Sequence, residues 1–217
     1  MSDYAEELAR NAADLTERIR ALPETKERRH LAAIAGPPGS GKSTLAEAVV
    51  ARLVDDGIDA VLMPMDGFHL DNRLLEPRGL LPRKGAPETF DFGGFSAALG
   101  RVRSEPSVIL PVFDRSREIA IAGAEEIRPE TTHVVVEGNY LLLDEDPWRG
   151  LAGMWDFSAF IAVEAAELER RLLRRWRRYG YDEAEARTKA LGNDIPNAHR
   201  VLGAVVPPDV TLQQTSG

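Results

Sequence analysis

Nine consecutive residues, Gly36-Pro37-Pro38-Gly39-Ser40-Gly41-Lys42-Ser43-Thr44, constrain this 217-residue chain more than any other feature. They fit a phosphate-binding pattern in which two glycines five positions apart are followed by lysine and a hydroxyl residue. The spacing has a physical reason. Glycines at 36, 39 and 41 let the backbone turn so that successive amides point inward at phosphate oxygens. Lys42 carries a charge that reaches the β- and γ-phosphates, and Ser43 offers a hydroxyl to Mg²⁺. The helix expected to begin at Lys42 sets its positive end beneath the nucleotide. Such a match arises by chance in on the order of one chain per hundred of this length. Here the flanks also agree. The apolar run Leu31-Ala32-Ala33-Ile34-Ala35 reads as a buried strand, and Leu45, Val49 and Leu53 have helical spacing that closes at Gly57. A glycine turn that merely caps a helix is the bland alternative. A dinucleotide fingerprint is excluded, because GPPGSG places its glycines wrongly for G-x-G-x-x-G.

Composition sets the outer limits. Hydrophobic residues make up 43% and charged residues 29%, which suits a soluble globular chain and neither a disordered nor a collagen-like one. A chain of this length buries roughly 70% of its unfolded surface, enough for a proper core. No stretch approaches 18 uninterrupted apolar residues, so no membrane insertion is expected. The acidic, amphipathic start MSDYAEELARNAADL lacks a secretory signal pattern. The absence of cysteine excludes disulfides, thiolate zinc sites and cysteine nucleophiles together, and a cytoplasmic location is the expectation. Thirty-five acids against 27 bases leave a net charge of -8. Proteins that grip nucleic acid usually carry a basic surplus, so no nucleic-acid partner is expected. The basic patch near residue 174 calls for something smaller than a duplex.

Residues 3–22 carry Leu8, Leu15, Ile19 and Leu22 at helical spacing until Pro23; this helix, within 1–29, is expected to pack and to hold no chemistry. Strands are expected at 31–35, 58–65, 108–113, 133–137 and 157–163, with a short last one at 201–206. Helices are expected at 42–56, 95–104, 164–179 and 182–191. Strands alternating with helices predict a parallel sheet covered on both faces. No repeat or linker divides the chain, so one domain over 1–217 is expected. Residues 67–94 read as a long ordered loop, and loops of that length tend to be functional.

Two acids stand at expected strand ends. Asp66 follows the second strand, in MPMDGFHLDN. In a parallel sheet the carboxyl ends of the strands open onto the crevice where the nucleotide lies. A carboxylate there can take a proton from an attacking hydroxyl, or it can simply start a turn with Gly67; spacing alone does not separate the two. Glu137 ends the β-branched run His133-Val134-Val135-Val136 and precedes Gly138. An acid after several buried apolar residues is the usual partner for Mg²⁺ beside such a loop, and that role is favoured over a bare strand-end acid.

GPPGSGKST, MDGFHLDN, RKGAPETFD (83–91), PVFDRS (111–116) and VVVEGNYLLL (134–143) together resemble the family of phosphoribulokinase, uridine kinase and pantothenate kinase. The nearer likeness is to bacterial kinase-like proteins of nucleoside and fructose transport systems. The resemblance spans about residues 30–205 in the family's order, and RKGAPETFD is far more specific than the phosphate loop. It implies a three-layer α/β P-loop NTPase fold, with a parallel central sheet flanked by helices and a small helical lid (164–193), and an acceptor loop at 67–95. It also implies an enzyme that transfers the γ-phosphoryl of ATP, with Mg²⁺, to a hydroxyl of a small molecule. On that likeness Asp66 is the catalytic base and Glu137 serves the metal with Ser43. The segments 83–91 and 111–117 help form the acceptor pocket, pointing to Arg83, Lys84, Phe90, Asp91, Phe113, Arg115 and Arg117. Asn139 and Tyr140, just after Glu137, and His69, beside Asp66, join the candidate acceptor contacts.

RRLLRRWRR (170–178) holds six arginines and matches the family only loosely. Leu168, Leu172, Leu173 and Trp176 mark its packed side, which leaves Arg171, Arg174, Arg175 and Arg178 near the other. Related kinases carry arginines on a mobile lid, and planar guanidinium groups suit the charge of a transferring phosphoryl group. Arg171 and Arg174 are therefore candidate catalytic groups and Arg175 a nucleotide contact. The alternative is a solvated face paired with Glu164, Glu167 and Glu169. Asn193, Asp194 and Asn197 lie where relatives close over the base, and Asn197 is the candidate contact. Asp91-Phe92-Gly93 spells a protein-kinase DFG, but no HRD loop or Gly-rich loop accompanies it. No NKxD guanine-reading segment occurs, and the four histidines lack metal spacing.

The reading is thus a kinase for a sugar such as fructose, or for a nucleoside- or pantothenate-like molecule. A nucleotide-hydrolysing switch or binding module is the rival, and RKGAPETFD has no place in it. A degenerate kinase kept as a binding subunit is a second rival, opposed by the intact Lys42, Ser43, Asp66 and Glu137.

Overall fold

The computed structural model describes residues 3–23 and 29–214; residues 24–28 of the expected N-terminal segment lie outside them. Along the chain run α1 (Asp3–Arg20), β1 (His30–Ala35), α2 (Lys42–Asp55), β2 (Ala60–Pro64), α3 (Asn72–Leu75), α4 (Phe92–Ser104), β3 (Val108–Asp114) and β4 (Ile119–Ile127). After them come β5 (His133–Gly138), β6 (Phe157–Val163), α5 (Ala165–Arg178), α6 (Glu183–Lys189), α7 (Ile195–Gly203) and β7 (Val210–Gln214).

Five strands make a parallel sheet in the order β2-β5-β1-β6-β7. Because β1 is paired on both edges, its six residues are all buried. Alternation sends Leu31, Ala33 and Ala35 to one side and Ala32 and Ile34 to the other, with Val134 and Val136 opposite Val135 in the same way. Each side needs its own cover. α4 supplies Phe95, Leu99 and Val102 on the first, beside Trp148. On the second, α1 supplies Leu15 and Ile19, α2 supplies Leu45, Val49 and Leu53, and α5 supplies Leu168 and Leu172. Each large side chain so buried contributes about 1.5–3 kcal/mol relative to exposure. This is the three-layer α/β architecture expected for a phosphate loop between a strand and a helix.

The structure departs from the sequence expectation in three places. The segment 108–113 does not join the parallel sheet: β3 pairs antiparallel with β4, a strand absent from the sequence expectation. A short turn at 115–118, with Glu118 at φ 55°, links them, and a parallel pairing would need a long crossover. Nor is 201–206 a strand. Asn197, Ala198 and Val201 are buried at helical spacing, so α7 continues through Gly203 with Pro196 in its first turn, where proline is tolerated. The last strand is β7, which begins at Val210. The helix expected at 182–191 ends at Lys189 and widens into a π turn over Ala190–Asp194.

Candidate active site

Strand order brings the two acids to the phosphate loop. β5 lies between β1 and β2, with Glu137 level with Ile34 on one side and Pro64 on the other. The loop therefore leaves β1 beside Glu137, and Asp66 sits in the 3₁₀ turn Met65–Phe68 that follows β2. Lys42 opens α2 immediately after Gly41, whose φ of 83° only glycine holds without strain.

Lys42, Glu137 and Asp66 feel one another. Burial pushes the Lys42 ammonium down, while Glu137 and then Asp66 hold it up. Burial pushes the Glu137 carboxyl up; Lys42 opposes this, Asp66 adds to it, and a hydrogen bond from Ser43 lowers it again. Glu137 is 5% exposed, yet its Oε2 has no hydrogen-bond partner among the described residues, and neither do Ser40 Oγ and Asn139 Oδ1. Buried polar atoms rarely stay unpaired. A carboxylate oxygen left open beside the Ser43 hydroxyl fits a divalent cation that arrives with nucleotide phosphates, since Mg²⁺ is usually held by one or two carboxylates plus substrate. Among the described residues no cluster of three or more His, Asp or Glu forms a self-contained metal cage.

A cleft of about 570 Å³ opens over these groups, reached by Pro38, Lys42, Asp66 and Asn139. Its far wall comes from the β3–β4 hairpin. Gly67 explains the close approach: a Cβ there would stand 2.3 Å from the Pro111 carbonyl oxygen. The hairpin carries Phe113, Arg115 and Glu118 to the cleft, and Arg115 forms an ion pair with Asp66. His69 also lines it. The His69 ring lies 4.1 Å from that of Phe90 and 4.5 Å from that of Phe113, and its Nδ1 is 2.8 Å from the Asp66 carbonyl oxygen. Burial pushes the imidazole down, against Asp66. The Lys84 ammonium donates to Asn72 Oδ1 at 2.7 Å and to the Glu118 carbonyl at 2.8 Å.

The other acceptor candidates stand behind this surface. Phe90 is buried beneath His69. The Asp91 carboxylate accepts from the Gly94 amide and caps α4. Tyr140 is fully buried and its hydroxyl donates to the Gly85 carbonyl. Arg117 pairs with Asp114. Arg83 donates to Asn197 Oδ1 at 3.3 Å and faces Glu88 at 3.6 Å. These residues shape the loop, and none of them lines the cleft.

Of the candidate arginines on α5, only Arg175 reaches the cleft, where it donates to Asp194 at 3.1 Å. Arg174 is exposed on α5. Arg171 turns to the back of the phosphate loop, donating to Glu167, Gln214 and, at 3.4 Å, the Gly39 carbonyl. The reason is helical register. Leu168 and Leu172 pack on the sheet, and Leu172 touches Gly39, so Arg171 is carried beneath the loop. Asn197 is buried and donates to Asn193 instead of facing the cleft.

Sequence reasoning missed part of the wall. Trp176, expected on the packed side, also lines the cleft with Tyr181 and Lys189; the Lys189 ammonium stands 4.9 and 4.6 Å from the two rings. Three of the chain's seven Trp and Tyr fall within residues 176–181, and that concentration was the available signal. Glu118 had none.

The profile of the "Phosphoribulokinase / Uridine kinase family" matches residues 31–198. "Uncharacterized protein YggC" of Escherichia coli is 38% identical over 180 residues, covering 81% of this chain and 74% of that protein. "Putative uridine kinase C227.14" of Schizosaccharomyces pombe is 32% identical, covering 87% and 84%. A solved structure described as a "putative fructose transport system kinase from Silicibacter sp. TM1040" superposes with a TM-score of 0.88 at 49% identity, covering 94% of this chain and 98% of that one.

Proposed function

Since the chain belongs to the phosphoribulokinase and uridine kinase family of small-molecule kinases, we propose that it transfers the γ-phosphoryl of ATP to a hydroxyl group of a small acceptor bound in this cleft. The observation that carries the reading is the convergence of Lys42, at the end of the loop that leaves β1, with Glu137 and Asp66 at the carboxyl ends of the adjacent β5 and β2. Lys42 and the amides of 36–44 hold the triphosphate. Ser43 and Glu137 hold Mg²⁺, which when bound offsets phosphate charge. Asp66 orients the acceptor hydroxyl and takes its proton, with Asn139 and His69 at its sides. Arg175 is the α5 arginine offered to the phosphates. Phosphoryl transfer asks chiefly for positioning and charge stabilisation, and these residues supply both.

Sugars such as fructose, nucleosides and pantothenate-like molecules share the hydroxyl that this chemistry requires. A coupled ADP-release screen across those three classes is the test. Acceptor-dependent ADP release that varies with the compound supports transfer. Hydrolysis of equal rate with and without every acceptor would instead mean a nucleotide-driven switch.

A further inference from the structure

Beyond the phosphate loop, the acceptor end of the cleft is built for negative charge. Lys84 is 14% exposed at its side chain. Both oxygens that its ammonium bonds are uncharged, one an amide and one a main-chain carbonyl. The nearest carboxylate, on Glu118, is 3.8 Å away and itself 60% exposed. An ammonium so enclosed keeps most of its charge for a ligand. Arg115 stands over the same aromatic ring: the Lys84 ammonium is 5.4 Å and the Arg115 guanidinium 5.8 Å from the centre of Phe113. His69 lies beside this charge: its Nδ1 faces the Asp66 carbonyl, which can only accept, so the proton sits on Nδ1 and Nε2 is left to accept from a hydroxyl and not to hold the anion.

Arg115 has a second role in the free protein. Its guanidinium lies on the Asp66 carboxylate, beside the Phe113 ring, although the Arg115 side chain is 59% exposed. In that arrangement the base is covered. Building on the kinase reading above, we propose that the acceptor is a hydroxylated anion, bearing a carboxylate or a phosphate monoester, and that its anionic group draws Arg115 off Asp66. Lys84 and Arg115, both beside Phe113, then hold the anion together, and the uncovered Asp66 receives the reacting hydroxyl. Binding of the correct acceptor thereby exposes the base, and water finds it covered otherwise. No bond is made or broken in this exchange; one ion pair replaces another.

The test compares three compounds of related hydroxyl frame: D-glucitol without charge, D-gluconate with a carboxylate, and D-glucose 6-phosphate with a phosphate monoester. Calorimetry is run on the full chain saturated with Mg²⁺ and a non-hydrolysable ATP analogue, which fills the phosphate loop and keeps the anions out of it. At least one anion is expected to bind about tenfold or more tightly than glucitol, the scale of a single charge-assisted contact in a half-open site. Arg115→Ala and Lys84→Met should each cut that preference by about tenfold while leaving analogue affinity within about twofold. Arg115→Ala should also raise ATP hydrolysis in the absence of acceptor. Anions that bind no better than glucitol, or a preference that survives in both variants, would overturn the proposal. Failure of the nucleotide analogue to bind would instead strike the kinase reading itself, so the two failures are distinct. Both side chains sit at the cleft surface, and circular dichroism of each variant checks that it folds.

Discussion

Asp66→Asn isolates the proposed base from everything around it. The two side chains have nearly the same shape, so the 3₁₀ turn at Met65–Phe68 should stand. The Arg115 pair that is lost joins a mostly exposed guanidinium to Asp66, and such pairs contribute at most about 1 kcal/mol. The fold is therefore expected to stay within about 1 kcal/mol of wild type. Nucleotide affinity should hold or rise slightly. Asp66 is a negative charge that both Lys42 and Glu137 sense, and its removal makes the floor friendlier to a triphosphate. What the variant cannot do is accept the proton. A general base contributes roughly 10²–10⁴ in rate, or about 2.7–5.4 kcal/mol of transition-state stabilisation. The assay is ADP release by wild type and variant with and without acceptor, alongside calorimetry of ATP binding. Transfer at the wild-type rate with unaltered ATP affinity would refute Asp66 as the base. A parallel loss of ATP binding would move Asp66 into the nucleotide site.

Lys42→Ala removes the charge at the head of α2, and ATP binding or turnover should fall by roughly 10²-fold or more, read by calorimetry and initial rates. Glu137→Gln keeps the buried shape but loses the open Oε2 charge; half-maximal activity should require roughly tenfold more Mg²⁺, and an unchanged metal requirement would reduce Glu137 to a strand-end acid. Gly67→Ala sets a methyl 2.3 Å from the Pro111 carbonyl; at about 1–3 kcal/mol for overpacking, Tm should drop by roughly 2–10 °C and acceptor KM should rise as the hairpin shifts. At the opposite end of the sheet, burial and the neighbouring His30 hold His133 down at about 4, with Asp156 opposing. An unfolded histidine titrates near 6.5, so the unfolded chain binds the extra proton between those values. Stability is full above pH 6.5 and falls as the pH drops toward 4. The half-buried ring keeps the slope below the one-proton limit of about 1.4 kcal/mol per pH unit, and His133→Gln should flatten it in thermal melts.

Local chemistry was legible in the chain. The phosphate loop announces itself because its requirements are satisfied within nine residues, and Gly39 and Gly41 hold the positive φ that the pattern anticipates. Asp66 and Glu137 were legible as strand-end acids because strands end where apolar runs end. Pairing decided the rest. That β5 inserts between β1 and β2, bringing Glu137 beside Lys42, follows from contacts about a hundred residues apart. β4, IAIAGAEEI, is only partly covered and buries Ile127 alone, too little to leave a period, so the hairpin and its delivery of Arg115 emerge only when β3 finds its partner. The same holds for α5. Its composition declared an arginine-rich helix, but the packing of Leu168 and Leu172 on the sheet sent Arg171 behind the loop and Arg175 into the cleft. A residue's type and spacing depend on its neighbours in sequence, whereas the direction it faces depends on surfaces that exist only after the chain has folded.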